Sequence, residues 1–207
     1  MLLSHALLLL LLDEEKGAMR SGYAHDAGLA GAVLLDLLAA GALTEHEGKL
    51  VAVGSPPPAL NAAWRVLGEE PRSAKKAISA LGKRLKPLRG AIAAPLVETG
   101  VLEERHLRFS RVRYPERDPA PELDVRKRLR VVLDGAEPDE WTASLFGLLV
   151  PMELVKPLFG RAAKGRAKEI AERGPVGDAV KAAVQAQVTA AVTAATIAAT
   201  TVATSGG

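Results

Sequence analysis

The chain alternates between segments that are apolar on every side and segments that are apolar on one side only. Residues 2–12 and 28–40 have almost no polar positions, which predicts two buried helices. Further helices are predicted at 59–68, at 72–81, where the helix is basic and amphipathic, at 122–133, 138–149 and 151–173 and, as a tail helix, from about residue 178. The pattern predicts a mainly α chain with one or two short β-hairpins, and its length suits a single domain spanning residues 1–207.

One pattern occurs twice: an apolar helix, then Gly-x-Leu, then a short β-hairpin. The first copy passes through Gly41 into a hairpin that turns at Glu47-Gly48, and the second passes through Gly100 into a hairpin at 106–119. This order is typical of a winged-helix unit, so DNA binding is an alternative function. Residues 28–41 contain one Asp and no Lys or Arg, however, whereas a recognition helix needs basic side chains. We therefore expect no nucleic-acid partner.

Two apolar runs raise the question of a membrane span. The first, ALLLLLL at 6–12, is too short to cross a bilayer, and DEEK follows it where a signal peptide would have a cleavage site. The second, at 180–203, contains Lys181, Gln185 and several Thr, so its insertion into a bilayer would be weakly driven. We expect neither run to be a transmembrane helix.

Basic residues form clusters although the net charge is only +3. The first cluster has seven basic residues and no acidic one between Pro71 and Val97: Arg72, Lys75, Lys76, Lys83, Arg84, Lys86 and Arg89. The second consists of Arg105, Arg108, Arg111, Arg113 and Arg117, and the third of Arg161, Lys164, Arg166 and Lys168. Such clusters attract polyanions, whether a membrane surface or a nucleic acid, but they also occur as solvated helix faces.

No arrangement of residues in the sequence points to catalysis. The chain has no Cys, and its four His residues, His5, His25, His46 and His106, lack the spacings of metal ligands. A Gly-x-Ser-x-Gly elbow is absent, and GRAAKGRAK at 160–168 lacks the ending of a phosphate-binding loop. We therefore expect no enzymatic activity, no catalytic residue, no cofactor and no metal site.

Several segments, in order along the chain, resemble the Golgi phosphoprotein 3 family in its actinobacterial form: LLLLLLDEEKG, GLAGAVLLDLLAAGAL, KLVAVGSPPP, RSAKKAISAL, PLVETGVLEE and DVRKRLRVVL. The resemblance rests on their order and spacing. It implies a mainly α fold, with a central helix bundle surrounded by amphipathic helices, and a protruding β-hairpin that assists membrane contact and self-association. In eukaryotic members it also implies a pocket for phosphatidylinositol 4-phosphate, and binding to the cytosolic tails of Golgi glycosyltransferases.

The resemblance also implies which residues bind a lipid headgroup. Aligned on PLVETGVL, the family's two arginines three residues apart fall on Lys86 and Arg89, so both positions remain basic. Aligned on GLAGAVLLDL, the family's pocket Trp and a further Arg fall on Ser21 and Ala30, so both are lost. Arg20 is a candidate replacement donor. These positions favour binding of anionic lipid in general over a pocket specific for phosphoinositides.

The second hairpin combines aromatic and basic residues, which favours contact with the membrane interface through Phe109, Arg111, Arg113 and Tyr114. The alternative is that its aromatic residues pack on the body of the fold. We predict a peripheral protein on the cytoplasmic, inner face of the membrane, which binds an anionic phospholipid headgroup. Cytosolic tails of membrane proteins and a second copy of the chain are further expected partners. A protein–protein adaptor, with a basic face for an acidic partner, is the competing function.

Overall fold

The structure, a computed structural model, describes residues 1–13, 15–20, 25–68, 70–108, 111–173 and 180–187. The helices are α1 (Leu3–Leu11), α2 (His25–Ala39), α3 (Asn61–Leu67), α4 (Ala74–Arg84), α5 (Leu88–Glu98), α6 (Ala120–Leu133), α7 (Glu140–Leu149), α8 (Val155–Phe159) and α9 (Ala163–Glu172), with a 3-10 turn at Pro58–Leu60. The strands are β1 (Leu43–His46), β2 (Lys49–Ala52), β3 (Arg105–Leu107) and β4 (Arg111–Arg113). The predicted mainly α fold with short hairpins is confirmed.

Three helices form the centre of the bundle because their sequences offer almost no polar face. Nearly every residue of α1 and α7 is buried, as is α2 from Gly28 to Leu37. The amphipathic helices α4, α5, α6 and α9 bury one face each against this centre. The two fully apolar segments predicted to be buried helices are thus central, and the helix predicted at 138–149 lies beside them as a third central helix.

A buried carboxylate joins two of the central helices. Asp36 of α2, only 5% exposed, accepts hydrogen bonds from the backbone N–H of Leu3 at 2.6 Å and of Ser4 at 2.9 Å, and from the Ser4 hydroxyl at 2.6 Å. It therefore caps the first turn of α1, whose N–H groups have no partner inside the helix. Burial raises the pKa of Asp36, while the bonds from Ser4 and Leu3 act against that rise.

Both hairpins follow a helix that ends at a glycine in the left-handed conformation, Gly41 at φ 67° and Gly100 at φ 78°. The first hairpin pairs Leu43 with Ala52 and turns at Glu47 and Gly48, which both have positive φ. The second hairpin pairs Arg105 with Arg113. The first turn and both helix ends lie where the sequence predicted them.

The C-terminal third differs in part from the prediction of one helix at 151–173. Gly160, at φ 88°, separates the short α8 from α9, so the segment forms two helices. Residues 180–187 are helical, with Val180 and Val184 fully buried. Val184 packs where a side chain on Gly31 would otherwise lie. The predicted continuation of this tail helix lies outside the described residues.

The part of the chain that the structure describes contains no helix long and apolar enough to cross a membrane.

Candidate functional site

A surface groove lies where α2 begins, α4 ends and α5 begins. Its first cavity, of about 560 Å³, is lined by Met19, His25, Asp26, Gly82, Lys86, Pro87, Leu88 and Arg89. The structure therefore brings the two predicted headgroup residues, Lys86 and Arg89, to one concave surface. The peptide bond between Lys86 and Pro87 is cis. Lys86 is exposed and has no polar partner among the residues that the structure describes.

A second cavity, of about 440 Å³, adjoins the first and is lined by Ala18, Met19, Pro87, Arg89, Val112, Arg113 and Tyr114. The two cavities share Met19, Pro87 and Arg89. They are therefore two ends of one groove, and Arg89 lies on the wall between them. We call them the Lys86 cavity and the Arg113 cavity.

The guanidinium of Arg89 is held in place from the side of the second hairpin. Its Nη2 donates a hydrogen bond to the backbone carbonyl of Val112 at 3.0 Å. Its Cζ lies 5.5 Å from the centre of the Tyr114 ring, within range of a cation–π interaction. One of its donors is thus used by the fold, and a positioned guanidinium loses less freedom when it binds an anion.

The segment between α1 and α2 supplies the remaining wall, and Gly17 allows the hairpin to approach it. The backbone carbonyl of Gly17 accepts a hydrogen bond from the N–H of Tyr114 at 3.0 Å. Gly17 has φ 57°, and a Cβ there would overlap the backbone of Tyr114 and Pro115. Only glycine fits both the conformation and the close approach. Ala18 and Met19 follow it directly into the groove.

His25 and Asp26 are two titratable residues that line the Lys86 cavity. Burial lowers the pKa of His25; Asp26 and the backbone carbonyl of Arg20 act to raise it, and Arg89 lowers it further. The Nε2 atom of His25 is buried without a hydrogen-bond partner among the described residues. Asp26 is exposed, and its carboxylate is the only one among the described residues that line the groove.

Arg20, the third predicted headgroup residue, lies beside the groove. Its Nε donates a hydrogen bond to the carbonyl of Leu12 at 2.9 Å, and its backbone N–H donates to Leu11 at 2.7 Å. The side chain therefore ties the segment after α1 to the end of that helix. A direct role of Arg20 in headgroup binding stays a prediction.

The residues predicted to form a membrane-contacting hairpin take different positions. Tyr114 is 3% exposed and lies under Arg89, which favours the alternative that it packs on the body of the fold. The reason is that it follows β4 and packs against Gly17 and Gly90. Arg113 is half-buried and lines the groove. Phe109 and the side chain of Arg111 lie outside the described residues. Leu107, 47% exposed on β3, is an apolar hairpin residue that the sequence analysis missed.

The basic clusters differ in how much of their charge is neutralised. In the third cluster, Arg166 pairs with Glu169 at 3.3 Å and Lys168 with Glu172 at 4.0 Å. In the first cluster, Lys75, Lys76 and Lys83 on α4 are exposed and have no ion-pair partner among the described residues. Since α4 also contributes Gly82 to the groove, its basic face continues into the Lys86 cavity.

Neither helix of the repeated units presents a DNA-recognition face. The α2 helix is buried from Gly28 to Leu37 and has no basic residue after His25. On α5, the only Lys or Arg is Arg89, whose side chain is bound to the second hairpin. A helix that reads the major groove needs several exposed polar or basic side chains.

The fold and the groove together define a mainly α protein with a basic surface groove beside a β-hairpin. Over residues 3–187 the sequence matches the Golgi phosphoprotein 3 (GPP34) family, and the chain belongs to that family. The resemblance found in the sequence is thereby confirmed for almost the whole chain. A comparison with curated proteins finds no significant match.

Proposed function

We propose that this protein binds anionic phospholipid headgroups at a membrane surface, through the groove that contains Lys86 and Arg89. The observation that carries the proposal is that both residues line one cavity, with Arg89 already oriented by Val112 and Tyr114. A phosphate needs several converging donors, and guanidinium and ammonium groups supply strong ones. Membership of the Golgi phosphoprotein 3 family supports a lipid ligand.

The basic face of α4 would add attraction that does not depend on headgroup structure. Lys75, Lys76 and Lys83 are exposed on the helix that leads into the Lys86 cavity. Each basic residue near an anionic surface contributes roughly 1 kcal/mol, and the effect weakens with salt. The protein would then sit on the inner, cytoplasmic face of the membrane, with α4 and the groove turned toward it.

The same proposal includes contact of the second hairpin with the membrane, further protein partners and the absence of enzymatic activity. The exposed Leu107 on β3 would let the second hairpin touch the interface, where an apolar side chain is stabilised. Family membership also supports cytosolic tails of membrane proteins, or a second copy of the chain, as partners. We propose a binding protein that is not an enzyme and needs no cofactor.

Co-sedimentation with vesicles tests the proposal. Wild-type protein should bind phosphatidylcholine vesicles that contain phosphatidylglycerol, and should ignore pure phosphatidylcholine. Lys86→Ala with Arg89→Ala should weaken binding about tenfold or more, since two close contacts are lost. The control, Arg161→Ala with Lys164→Ala, removes the same charge from exposed positions of the third cluster and should have less than a roughly twofold effect.

Circular dichroism must show that the Arg89 variant is folded, because Arg89 also bonds to Val112. If wild-type protein stays in the supernatant when anionic vesicles are sedimented at low salt, the lipid proposal is wrong. If both double variants lose the same amount of vesicle binding, the protein is held to the vesicles by net charge alone and not by the groove. Tight binding to duplex DNA under the same conditions would favour the alternative function instead.

A further inference from the structure

The outer face of α6 has two exposed apolar side chains. Leu123 is 58% and Val131 is 51% exposed, and they are two of only five large hydrophobic residues exposed in the described part of the chain. Since residues four positions apart are neighbours on a helix, Leu123, Lys127 and Val131 form one row along this face, which we call the α6 row. A single exposed apolar residue is normal on a protein surface, whereas two in one row are better suited to contact a partner.

A surface pocket of about 320 Å³ adjoins the α6 row on the side of α7. Its apolar lining consists of Val131, Val132 and Ala136. Arg128, which also lines the pocket, pairs with Asp139 and lies over the Trp141 ring, with its Cζ 4.3 Å from the ring centre, so its side chain is held by the fold. The apolar part of the pocket is therefore the part open to a partner, and it has room for a leucine side chain.

The charged residues beside the α6 row are of both signs. Asp124, Lys127 and Asp134 are exposed, and their side chains make no hydrogen bond or ion pair with any residue that the structure describes. Arg130 is also exposed, with its Cζ 5.6 Å from the centre of the Phe159 ring. These two acids and two bases cancel, so they do not attract a polyanion such as an anionic membrane. They fit a partner surface that has both signs in the complementary order.

We propose that α6 is a contact between two copies of this chain, packed antiparallel about a twofold axis at Lys127. Positions 123 and 131 are then opposite each other, as are positions 124 and 130, because both pairs are centred on residue 127. Leu123 of one copy contacts Val131 and the adjoining pocket of the other, and Asp124 faces Arg130. Twofold symmetry forms each contact twice. One register thus matches the apolar and the charged residues together.

This contact is separate from the lipid site and is weak. None of the described residues that line the groove belongs to α6, so the inference goes beyond the proposed function. One helix face buries little area, and the two Lys127 side chains meet near the axis, where like charges oppose association. On a membrane, two joined copies would bring two grooves, and the second headgroup would bind at a high effective concentration.

Sedimentation equilibrium of the full chain without lipid, from about 1 µM to about 200 µM, tests the contact. Wild-type protein should dimerise weakly within this range. Leu123→Ser should weaken dimerisation about tenfold, because it removes the apolar contact twice. The control Leu107→Ser removes a similarly exposed apolar side chain, 47% exposed, from the second hairpin, and should change the dissociation constant less than about twofold.

Charge exchange tests the register itself. Asp124→Arg and Arg130→Asp each place like charges opposite one another, so each alone should weaken the dimer about tenfold. The double variant restores opposite charges and should recover most of the wild-type affinity. Lys127→Gln removes the repulsion at the axis and should strengthen the dimer about threefold. Circular dichroism of the Arg130 variants checks the fold, because Arg130 also contacts Phe159.

The outcomes are independent of the lipid proposal. A wild-type protein that is monomeric throughout the range would overturn the α6 contact, and so would a double variant that fails to recover. A dimer that is lost in Leu107→Ser and kept in Leu123→Ser would place the contact on the hairpin instead. If Leu123→Ser leaves self-association unchanged but weakens binding to phosphatidylglycerol vesicles, α6 contacts the membrane and the inference is wrong.

Discussion

The two helix–hairpin units, α2 with β1–β2 and α5 with β3–β4, share one sequence pattern but lie in different environments. In both, a glycine with positive φ ends the helix and leads into a two-stranded antiparallel sheet. The α2 helix is buried along most of its length, whereas α5 buries only Leu88, Ile92, Ala93 and Leu96. The helix of the first unit is part of the central core, and the second unit lies at the surface beside the groove.

The contacts of the two hairpins explain this division. The first hairpin is joined to the covering helices: Leu50 forms a bridge with Arg72, and the Trp64 Nε1–H donates to the carbonyl of Ala42 at 3.3 Å. The second is joined to the groove through the bonds from Arg89 to Val112 and from Tyr114 to Gly17. A shared local pattern therefore sets the local fold, while side-chain composition decides which unit supports the core and which forms the site.

The largest expected effect is on stability, from breaking the buried link of the first unit. Asp36→Ala leaves the N–H groups of Leu3 and Ser4 without acceptors at the start of α1. We expect a loss of about 2–4 kcal/mol in the free energy of unfolding, measured by urea denaturation. The control Asp26→Ala, on the exposed first turn of the same helix, should cost less than about 1 kcal/mol. Equal losses would show that Asp36 is not a structural cap.

The raised pKa of Asp36 gives the same experiment a pH dependence. Since the folded pKa lies above that of an unfolded Asp, the contribution of Asp36 is complete below the unfolded value. It decreases as the pH rises through the folded pKa. Asp36→Asn does not titrate, so the stability of the wild type relative to this variant should fall as the pH rises through that range. A constant difference would contradict the raised pKa.

A smaller effect, mainly on binding, is expected from the second unit. Tyr114→Leu removes the ring over which Arg89 lies, and should weaken binding to anionic vesicles by about two- to fivefold. Tyr114→Phe keeps the ring and should bind as the wild type does. If both variants bind normally, Arg89 does not depend on Tyr114 for its position. Unfolding measurements on both variants would separate this effect from a general loss of the fold.

The sequence predicted the fold well because burial and helical period follow directly from local composition. The two fully apolar segments became the central helices α1 and α2, and the turn at Glu47-Gly48 formed where expected. The segment at 151–173 was predicted less well. The helical spacing of its apolar residues continues past Gly160, and only the observed φ of 88° at Gly160 shows that the helix ends there.

The site was harder to predict because it is assembled from segments far apart in the sequence. The family resemblance pointed to Lys86 and Arg89, but the sequence gives no sign that Arg113 lines a cavity together with Arg89 while its neighbour Tyr114 is buried. That arrangement depends on the close approach of Gly17 to Tyr114, a contact between residues almost a hundred positions apart. The sequence likewise shows His25 only as one of four isolated histidines, and its position in the Lys86 cavity is seen only in the folded structure.

The smallest expected effect concerns His25, the point at which the first unit reaches the groove. The charged and titratable groups that face it are Asp26 on its own helix, Arg89 of α5 and Lys86 at the same cavity, with the carbonyl of Arg20 also acting on it. Its pKa is lowered chiefly by burial, so the free protein contains neutral His25 at neutral pH and loses stability as the pH falls through the folded pKa. A phosphate bound in the cavity would favour the charged imidazolium.

Binding should therefore take up a proton, and affinity for phosphatidylglycerol vesicles should rise about two- to threefold between pH 7.5 and 6. The phosphodiester is the right probe because, unlike a phosphomonoester, it does not titrate in this range. His25→Asn should flatten the pH profile, whereas His106→Asn should not, since His106 lies exposed on the second hairpin beside Glu104. If the affinity of His25→Asn still rises as the pH falls, the titrating group is another residue, and the first unit takes no part in binding.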